Sequence, residues 1–288
     1  MILDSHAHIV SDDFARYPAA PLSGQVRPGD LDDPFTVERL IGCMDEQGVE
    51  QALVVQRAHI YGYDNSYVVD SAQRFPKRLR AVCMVDARHA EAPRVVRHWV
   101  CERGAAAIRL TEPYKGADTG WFAGEAAINV WHAVADLGVS LRLHFYRWNR
   151  DAGLRALVPL LREFRAVPIV LDHLSNLPVE SGPPDFGFDA PLRALVELPN
   201  VHLMFSTINF ARLATAGLPA APMLERVMRE FGPRRLLWGS DIAQSTGSYA
   251  ELVQRARLAV APLASDVQEQ LLHSTTAALH AGALAQST

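Results

Sequence analysis

The sequence predicts an α/β protein folded as a single (β/α)8 barrel of the TIM type with an extra C-terminal helix, and three observations lead there. Short β-branched runs alternate with amphipathic stretches along the chain, the mark of repeated strand–helix units around a parallel sheet. Eight such runs can be counted. The length of 288 residues suits a closed barrel, for which roughly 250 residues is typical. An open doubly wound sheet with added strands is the competing architecture.

The strands are expected at Ile2–His6, Gln51–Val55, Leu79–Val85, Ala105–Leu110, Val139–Phe145, Pro168–Asp172, Val201–Ser206 and Arg235–Gly239. Between them, Thr36–Gln47, Gly124–Leu137, Gly153–Phe164 and Pro222–Phe231 repeat apolar residues three and four apart, which is one face of a helix. The Pro- and Gly-rich stretches Tyr17–Pro34 and Pro178–Pro191 follow strands one and six and read as long loops that shape the barrel mouth. Ser265–Ala281 reads as one more helix outside the barrel. No linker splits the chain, so residues 1–288 are taken as one domain.

Hydrophobic residues make up 49% and charged residues 21% of the chain, the balance of a protein that buries a large core. The net charge of −4 is spread without runs of one sign, which excludes the electrostatic footprint of nucleic-acid or anionic-membrane binding and favours a small-molecule partner. No apolar stretch approaches the roughly 18 residues of a membrane-spanning helix, and the chain opens directly into a strand, so a cytoplasmic protein is expected. Cys43, Cys83 and Cys101 lack C-x-x-C spacing and sit in apolar segments, as buried free thiols do.

In Asp4-Ser5-His6-Ala7-His8 the histidines are two apart, so on an extended strand both leave the same face and can grip one ion. Alone, such a pair is also compatible with two solvated imidazoles at a strand end. Three other predicted strands end in groups that ligate or titrate: His144, His173 and Asp241. A barrel gathers its C-terminal strand ends at one mouth, so these five residues become neighbours.

On these motifs the sequence resembles the amidohydrolase-related group of the amidohydrolase superfamily over nearly its whole length. Asp4-Ser5-His6-Ala7-His8 looks like the strand-one H-x-H signature, Val170-Leu171-Asp172-His173-Leu174 like the strand-six histidine, and Leu237-Trp238-Gly239-Ser240-Asp241 like the strand-eight aspartate. The segments 56–65, 75–80 and 108–110 are most similar to the branch containing 2-pyrone-4,6-dicarboxylate lactonase. The chain departs from the family pattern after Asp241, where Ala243 or Gln244 replaces a common proline, and at Ser274–Leu279 near the C-terminus.

The resemblance implies a hydrolase, with a homo-oligomeric state, and leaves two kinds of centre open. His6, His8, His144 and Asp241 form a ligand set suited to one divalent ion, zinc before manganese. His144 matches the strand-five histidine of metal-binding members, although it can also pack beneath Tyr146 and Trp148. An ion bound there would make its water far more acidic, toward neutrality, while Asp241 would shuttle the proton and His173 would steady the oxyanion or serve as a second acid/base. The metal-free alternative, implied by the lactonase branch, uses His6, His8 and His173 as hydrogen-bond donors to a carbonyl, with Asp241 directing water.

For the substrate, Arg109 at the end of strand four suits a carboxylate, or equally a structural ion pair. His59, Tyr61 and Asn65 after strand two, and Tyr146, Arg147 and Trp148 after strand five, add donors and flat surfaces for a planar acidic ring. The first function is hydrolysis of a carboxylated lactone or cyclic amide from aromatic-acid catabolism. The alternatives are metal-dependent decarboxylation of an aromatic or muconate-type acid, and a non-catalytic metabolite-binding barrel.

Overall fold

The sheet runs in sequence order. In the computed structural model, which describes residues 1–114, 116 and 118–284 and side chains as far as His280, eight parallel strands each pair with their chain neighbours. They are β1 (Leu3–Ala7), β2 (Gln51–Val55), β3 (Leu79–Met84), β4 (Ala107–Thr111), β5 (Ser140–His144), β6 (Ile169–Leu171), β7 (Val201–Ser206) and β8 (Leu236–Gly239). The seam between β8 and β1 is bridged by the Asp241 N–H, which donates to the His6 carbonyl at 2.7 Å, and by the His8 N–H, which donates to the Ile242 carbonyl at 3.3 Å. The result is the nearly closed α/β barrel that the alternating runs predict.

Asp4 locks that seam from inside. Its Oδ1 accepts from the backbone N–H groups of His6 (3.0 Å) and Ser240 (2.8 Å), and its Oδ2 accepts from the Tyr249 hydroxyl (3.1 Å). The strands also pass unusually close there: a Cβ on Gly239 would lie 2.5 Å from the His6 Cβ.

Helices fill the connections as expected, including Val37–Gln47, Glu125–Leu137, Arg150–Glu163, Ala220–Phe231 and Tyr249–Val260. The first is typical. Val37, Leu40 and Met44 form its buried stripe, the Thr36 side chain accepts from the Arg39 N–H at its start, and Gly48 ends it at φ 63°. The helix expected from Gly153 begins earlier, at Arg150, because Asn149 turns the chain after β5.

Three expectations need adjustment. β6 stops at Leu171, because the following residues leave the ladder for a left-handed turn. The C-terminal segment, expected to stand outside the barrel, covers it: Ala277 packs on Leu3, Leu53, Val55, Val82 and Ala107, and Leu279 on Val170, Met204 and Leu237. Those inward-facing residues would otherwise meet water, which their burial avoids. Of the cysteines expected to be buried, all are free but only Cys83 is fully buried; Cys43 is half-buried and Cys101 exposed. The end of the single domain read from sequence, residues 285–288, lies outside the described residues. Among the described residues no helix is long and apolar enough to cross a membrane.

Candidate active site

The polar strand ends meet at one mouth. His6 and His8 leave β1 with ring centroids 4.9 Å apart, His6 and His173 lie 5.1 Å apart, and His173 and His144 lie 5.0 Å apart. The His6, His8 and His173 Nε2 atoms converge on one oxygen, Asp241 Oδ1, at 3.7, 3.5 and 3.9 Å. The other oxygen, Oδ2, accepts from the Ser245 hydroxyl at 2.7 Å, which fixes the direction in which Oδ1 points.

Strained backbone aims two of these groups. His173, Leu174, Ser175 and Asn176 all have φ between 52° and 57°, and Asp241 has φ 58°. A left-handed conformation costs roughly 1–2 kcal/mol per non-glycine residue, so the turn must be held from outside. Asn209 donates to the His173 carbonyl (3.1 Å), Arg150 to the Ser175 carbonyl (2.8 Å), and Asn176 to the Phe145 carbonyl (2.9 Å).

Burial sets the electrostatics. It pushes His6 and His144 well below the ordinary imidazole range, with Arg142 adding to the effect at His6 and Arg109 at His144. His173 is lowered too, by burial that outweighs the opposing pull of Asp241. Burial alone would raise Asp241, but His173 and His8 hold it below the usual carboxylate value, so it is ionised at neutral pH.

Donor chemistry decides whether a metal ion fits. His6, His173 and Asp241 each offer a ligand atom within 4.8 Å of the others. His8 Nδ1 lies 2.7 Å from the Val55 carbonyl and donates to it, and its Nε2 faces Asp241 Oδ1 across 3.5 Å. An imidazole anchored through Nδ1–H, with its Nε2 turned toward a carboxylate, is the usual posture of a metal ligand. Imidazole and carboxylate donors gathered this closely fit a divalent ion. His144 stands further out, its ring 4.5 Å from Tyr146 and its buried Nδ1 without a hydrogen-bond partner among the described residues.

Beneath the mouth lies a charged layer in which Arg109 makes the structural ion pair that was its alternative reading, and of which the sequence reading missed Arg142 and the role of Asp172. The register places Arg109 of β4 beside Arg142 of β5, and like charges side by side are unfavourable without a shared anion. Asp172 supplies it: Oδ2 accepts from Arg109 Nε at 2.8 Å, and Oδ1 accepts from Arg142 Nε and Nη2 at 3.1 and 2.9 Å. Burial would raise Asp172, yet Arg142 and Arg109 hold it far below the carboxylate range. The alternation Ser140, Arg142, His144 already places Arg142 on the inward face of its strand, the signal that could have found it.

A cavity of about 250 Å³ opens above the histidines, and among the described residues that line it are four arginines, Arg27, Arg57, Arg109 and Arg212, and one acidic residue, Asp241. A groove of about 440 Å³ on the outer surface is larger but lacks a convergent set of reacting groups. Of the residues expected to touch substrate, Arg109, His59 and Tyr146 line the cavity. Arg109 spends Nε on Asp172, and its Nη atoms have no hydrogen-bond partner among the described residues. His59, pushed down to about 4 by burial and Arg27, bridges toward Arg27 and Tyr114.

The other expected contacts point elsewhere. The Tyr61 hydroxyl accepts from the Ser11 N–H, and the Asn65 side chain braces the backbone of Met84 and Tyr63. Arg147 pairs with Glu180, and Trp148 stacks on the outer face of Tyr146 at 4.7 Å, 53% exposed. Arg27 and Arg57 reach the cavity because the loop after β1 folds back over β2's loop: the Ala20 N–H donates to the Ile60 carbonyl, and Asp30 pairs with Arg57 at 2.9 Å.

Known proteins match this fold and these strands. A 4-sulfomuconolactone hydrolase of Rhizobium radiobacter is 26% identical over 251 residues, covering 83% of this chain and 74% of that protein. An L-fucono-1,5-lactonase of Burkholderia ambifaria is 26% identical over 255 residues, covering 83% of this chain and 79% of that protein. Among solved structures, a probable 2-pyrone-4,6-dicarboxylic acid hydrolase of Acinetobacter baumannii with citric acid bound has a TM-score of 0.75 at 18% identity, covering 97% of this chain and 99% of that one. An amidohydrolase of Burkholderia multivorans with bound zinc reaches 0.72 at 21% identity, covering 98% and 99%. A 5-carboxyvanillate decarboxylase of Sphingomonas paucimobilis reaches 0.69 at 16% identity, covering 97% and 98%. At such identities these structures speak for the fold alone. The family model described as Amidohydrolase matches residues 3–280, from the start of β1 to the last described side chain of the C-terminal segment. Taking in every strand of the barrel, that match makes the chain an enzyme of the amidohydrolase family.

Proposed function

We propose that this enzyme hydrolyses a small carboxylated lactone of the kind formed in aromatic-acid catabolism. The observation that carries the reading is the cavity itself, in which four arginines, Arg57 paired with Asp30 and Arg109 with Asp172, surround a mouth whose floor is the ionised Asp241 carboxylate ringed by imidazoles. Such a wall attracts a small polyanion, and at about 250 Å³ the space falls just below the roughly 300–1,000 Å³ of drug-sized pockets, which suits a single ring. Both named relatives are lactone hydrolases by name, which supports the same reaction class here.

The chain's own groups divide the work. The free Nη atoms of Arg109 take a substrate carboxylate, a geometry made for two parallel hydrogen bonds. Asp241 Oδ1 accepts the proton of an attacking water held between it and the imidazoles. Water oxygen bonds to the lactone carbonyl carbon, the ring C–O bond breaks, and Asp241 returns the proton to the departing oxygen. His173, braced by the Ser206 hydroxyl at 2.8 Å, faces the oxygen on which charge develops. One divalent ion, zinc before manganese, is proposed on donors drawn from His8, His144, His173 and Asp241; when bound it would supply Lewis acidity and a more acidic water. The partner is this small acid, and a homo-oligomer is proposed for the assembly, which light scattering checks.

The test is a panel of pyrone, muconolactone and hydroxybenzoate acids incubated with purified protein. Ring-opened acid without gas supports the proposal. Carbon dioxide release moves the assignment to nonoxidative decarboxylation, and no turnover on any lactone removes it.

A further inference from the structure

Four imidazoles share the mouth, but their outer nitrogens are held differently. His8 Nδ1 meets a carbonyl, which can only accept. His173 Nδ1 meets the Ser206 hydroxyl, which can donate or accept. His6 Nδ1 instead lies 3.2 Å from Arg142 Nη2, and a guanidinium has donors and no acceptor.

Arg142 has no freedom to turn away. It is wholly buried, its Nη1 donates to the Ser5 carbonyl at 2.7 Å, and its Nε and Nη2 hold Asp172 Oδ1. Asp172 is itself pinned by Arg109 on the other oxygen. The one carboxylate oxygen near His6 Nδ1, Asp172 Oδ1, is 3.7 Å away, beyond hydrogen-bond range. So His6 Nδ1 carries a lone pair, and in the uncharged ring the hydrogen sits on Nε2. That Nε2 is buried, has no hydrogen-bond partner among the described residues, and lies 3.7 Å from Asp241 Oδ1.

We propose that Arg142 is a positioning residue that fixes His6 as its Nε2–H tautomer. His6 therefore donates a hydrogen bond to substrate and is not a ligand of an ion bound at the mouth. The identity of the acceptor, the carbonyl oxygen of a lactone, rests on the proposed function; the tautomer does not. The ion, when present, is left with His8, Asp241 and the remaining imidazoles, the side on which His8 Nε2 faces Asp241 Oδ1. The chain of contacts from Arg109 through Asp172 and Arg142 to His6 also ties the carboxylate-binding arginine to the donor.

The experiment uses the full chain labelled with 15N-histidine, stripped of metal, with the His6 signals identified by their loss in His6→Asn. Long-range 1H–15N spectra are expected to show His6 protonated at Nε2 and bare at Nδ1, and unchanged after one equivalent of zinc is added. A hydrogen on Nδ1, or an Nε2 signal that moves to a metal-bound position with zinc, overturns the proposal. Zinc uptake measured in the same samples keeps the two questions apart: a protein that takes up none loses the ion from its proposed function, while the metal-free spectrum still decides the tautomer. Arg142→Gln, whose amide oxygen can accept from Nδ1–H, is expected to lower kcat by roughly 10²-fold, the loss typical of one oxyanion donor, with KM little changed. Arg142→Lys keeps a donor and is expected to recover part of that loss. Equal activity of the two variants, with the His6 spectrum unaltered in both, also overturns it.

Discussion

Replacing Arg109 with lysine separates the charge of this side chain from its geometry. Arg109 is two-sided: Nε holds Asp172 at 2.8 Å, and the Nη atoms face the cavity. Lysine keeps the positive charge but offers a point rather than a fork. A hydrogen bond to a charged group contributes about 1.5–3 kcal/mol, so giving up one of two such bonds to a carboxylate costs about 2 kcal/mol. At 1.36 kcal/mol per decade, that is a fall of about 30-fold in kcat/KM. The fold survives the change, because Asp172 keeps its two bonds from Arg142. The assay compares one lactone with and without its carboxylate on the wild type and on Arg109→Lys. The loss should appear with the acid and shrink to about 3-fold or less with the neutral ring, since the missing bond then has no partner. Equal losses on both substrates would refute a substrate contact and leave Arg109 as a structural partner of Asp172.

Other expectations follow from contacts already described. Gly239→Ala places a Cβ 2.5 Å from the His6 Cβ, so chemical denaturation should show a loss of about 1–3 kcal/mol, typical of overpacking, together with reduced turnover. Tyr61→Phe leaves the buried Ser11 N–H without its acceptor and should cost about 1–3 kcal/mol of stability with KM unchanged; a raised KM would return Tyr61 to the substrate. Acid should destabilise the metal-free protein below the ordinary histidine value of 6.5, because His6 and His144 are pushed well down and His280 to about 3 by burial. In that window the unfolded chain binds more protons, so stability is complete above 6.5 and falls with pH by about 1.4 kcal/mol per unit for each such residue. Melting at about pH 5.5 against about pH 7.5 should reveal a loss near 4 kcal/mol for the three, and an unchanged midpoint would contradict the neutral, buried state of these rings.

How far the sequence could be read depended on whether a signal was local. The eight strands were legible because each is a short apolar run that the parallel sheet buries on both faces. His6, His8, His173 and Asp241 were legible because polar residues at the end of apolar runs are conspicuous, and the barrel rule brings strand ends together without further information. Tyr61 and Asn65 follow β2 in the same connection as His59, yet their polar atoms turn inward to backbone partners. Nothing in a run of residues distinguishes a side chain that faces the cavity from one that braces the loop beneath it. Arg27 and Arg212 were illegible for a different reason: they reach the cavity from a loop and a helix whose paths depend on tertiary contacts such as Ala20 to Ile60. The four-residue left-handed turn from His173 was equally hidden, since no glycine marks it.

The layer formed by Arg109, Asp172 and Arg142 bears most directly on why the site holds its shape. All three are buried, and apolar residues of similar volume in such a place are often as stabilising or more so, since desolvation consumes much of the Coulomb gain. Stability alone therefore does not account for a charged layer one strand position below the reacting groups. Its geometry does: the neighbouring arginines compel Asp172 to ionise, the ionised Asp172 holds both guanidinium planes, and those planes meet two different clients, the cavity and the His6 ring. An apolar layer could support β4 and β5 equally well, but it could neither present a fork to a carboxylate nor dictate which nitrogen of His6 carries hydrogen. The cost of burying the charges is in that sense spent on direction, and the barrel's rigid strands are what allow it to be kept.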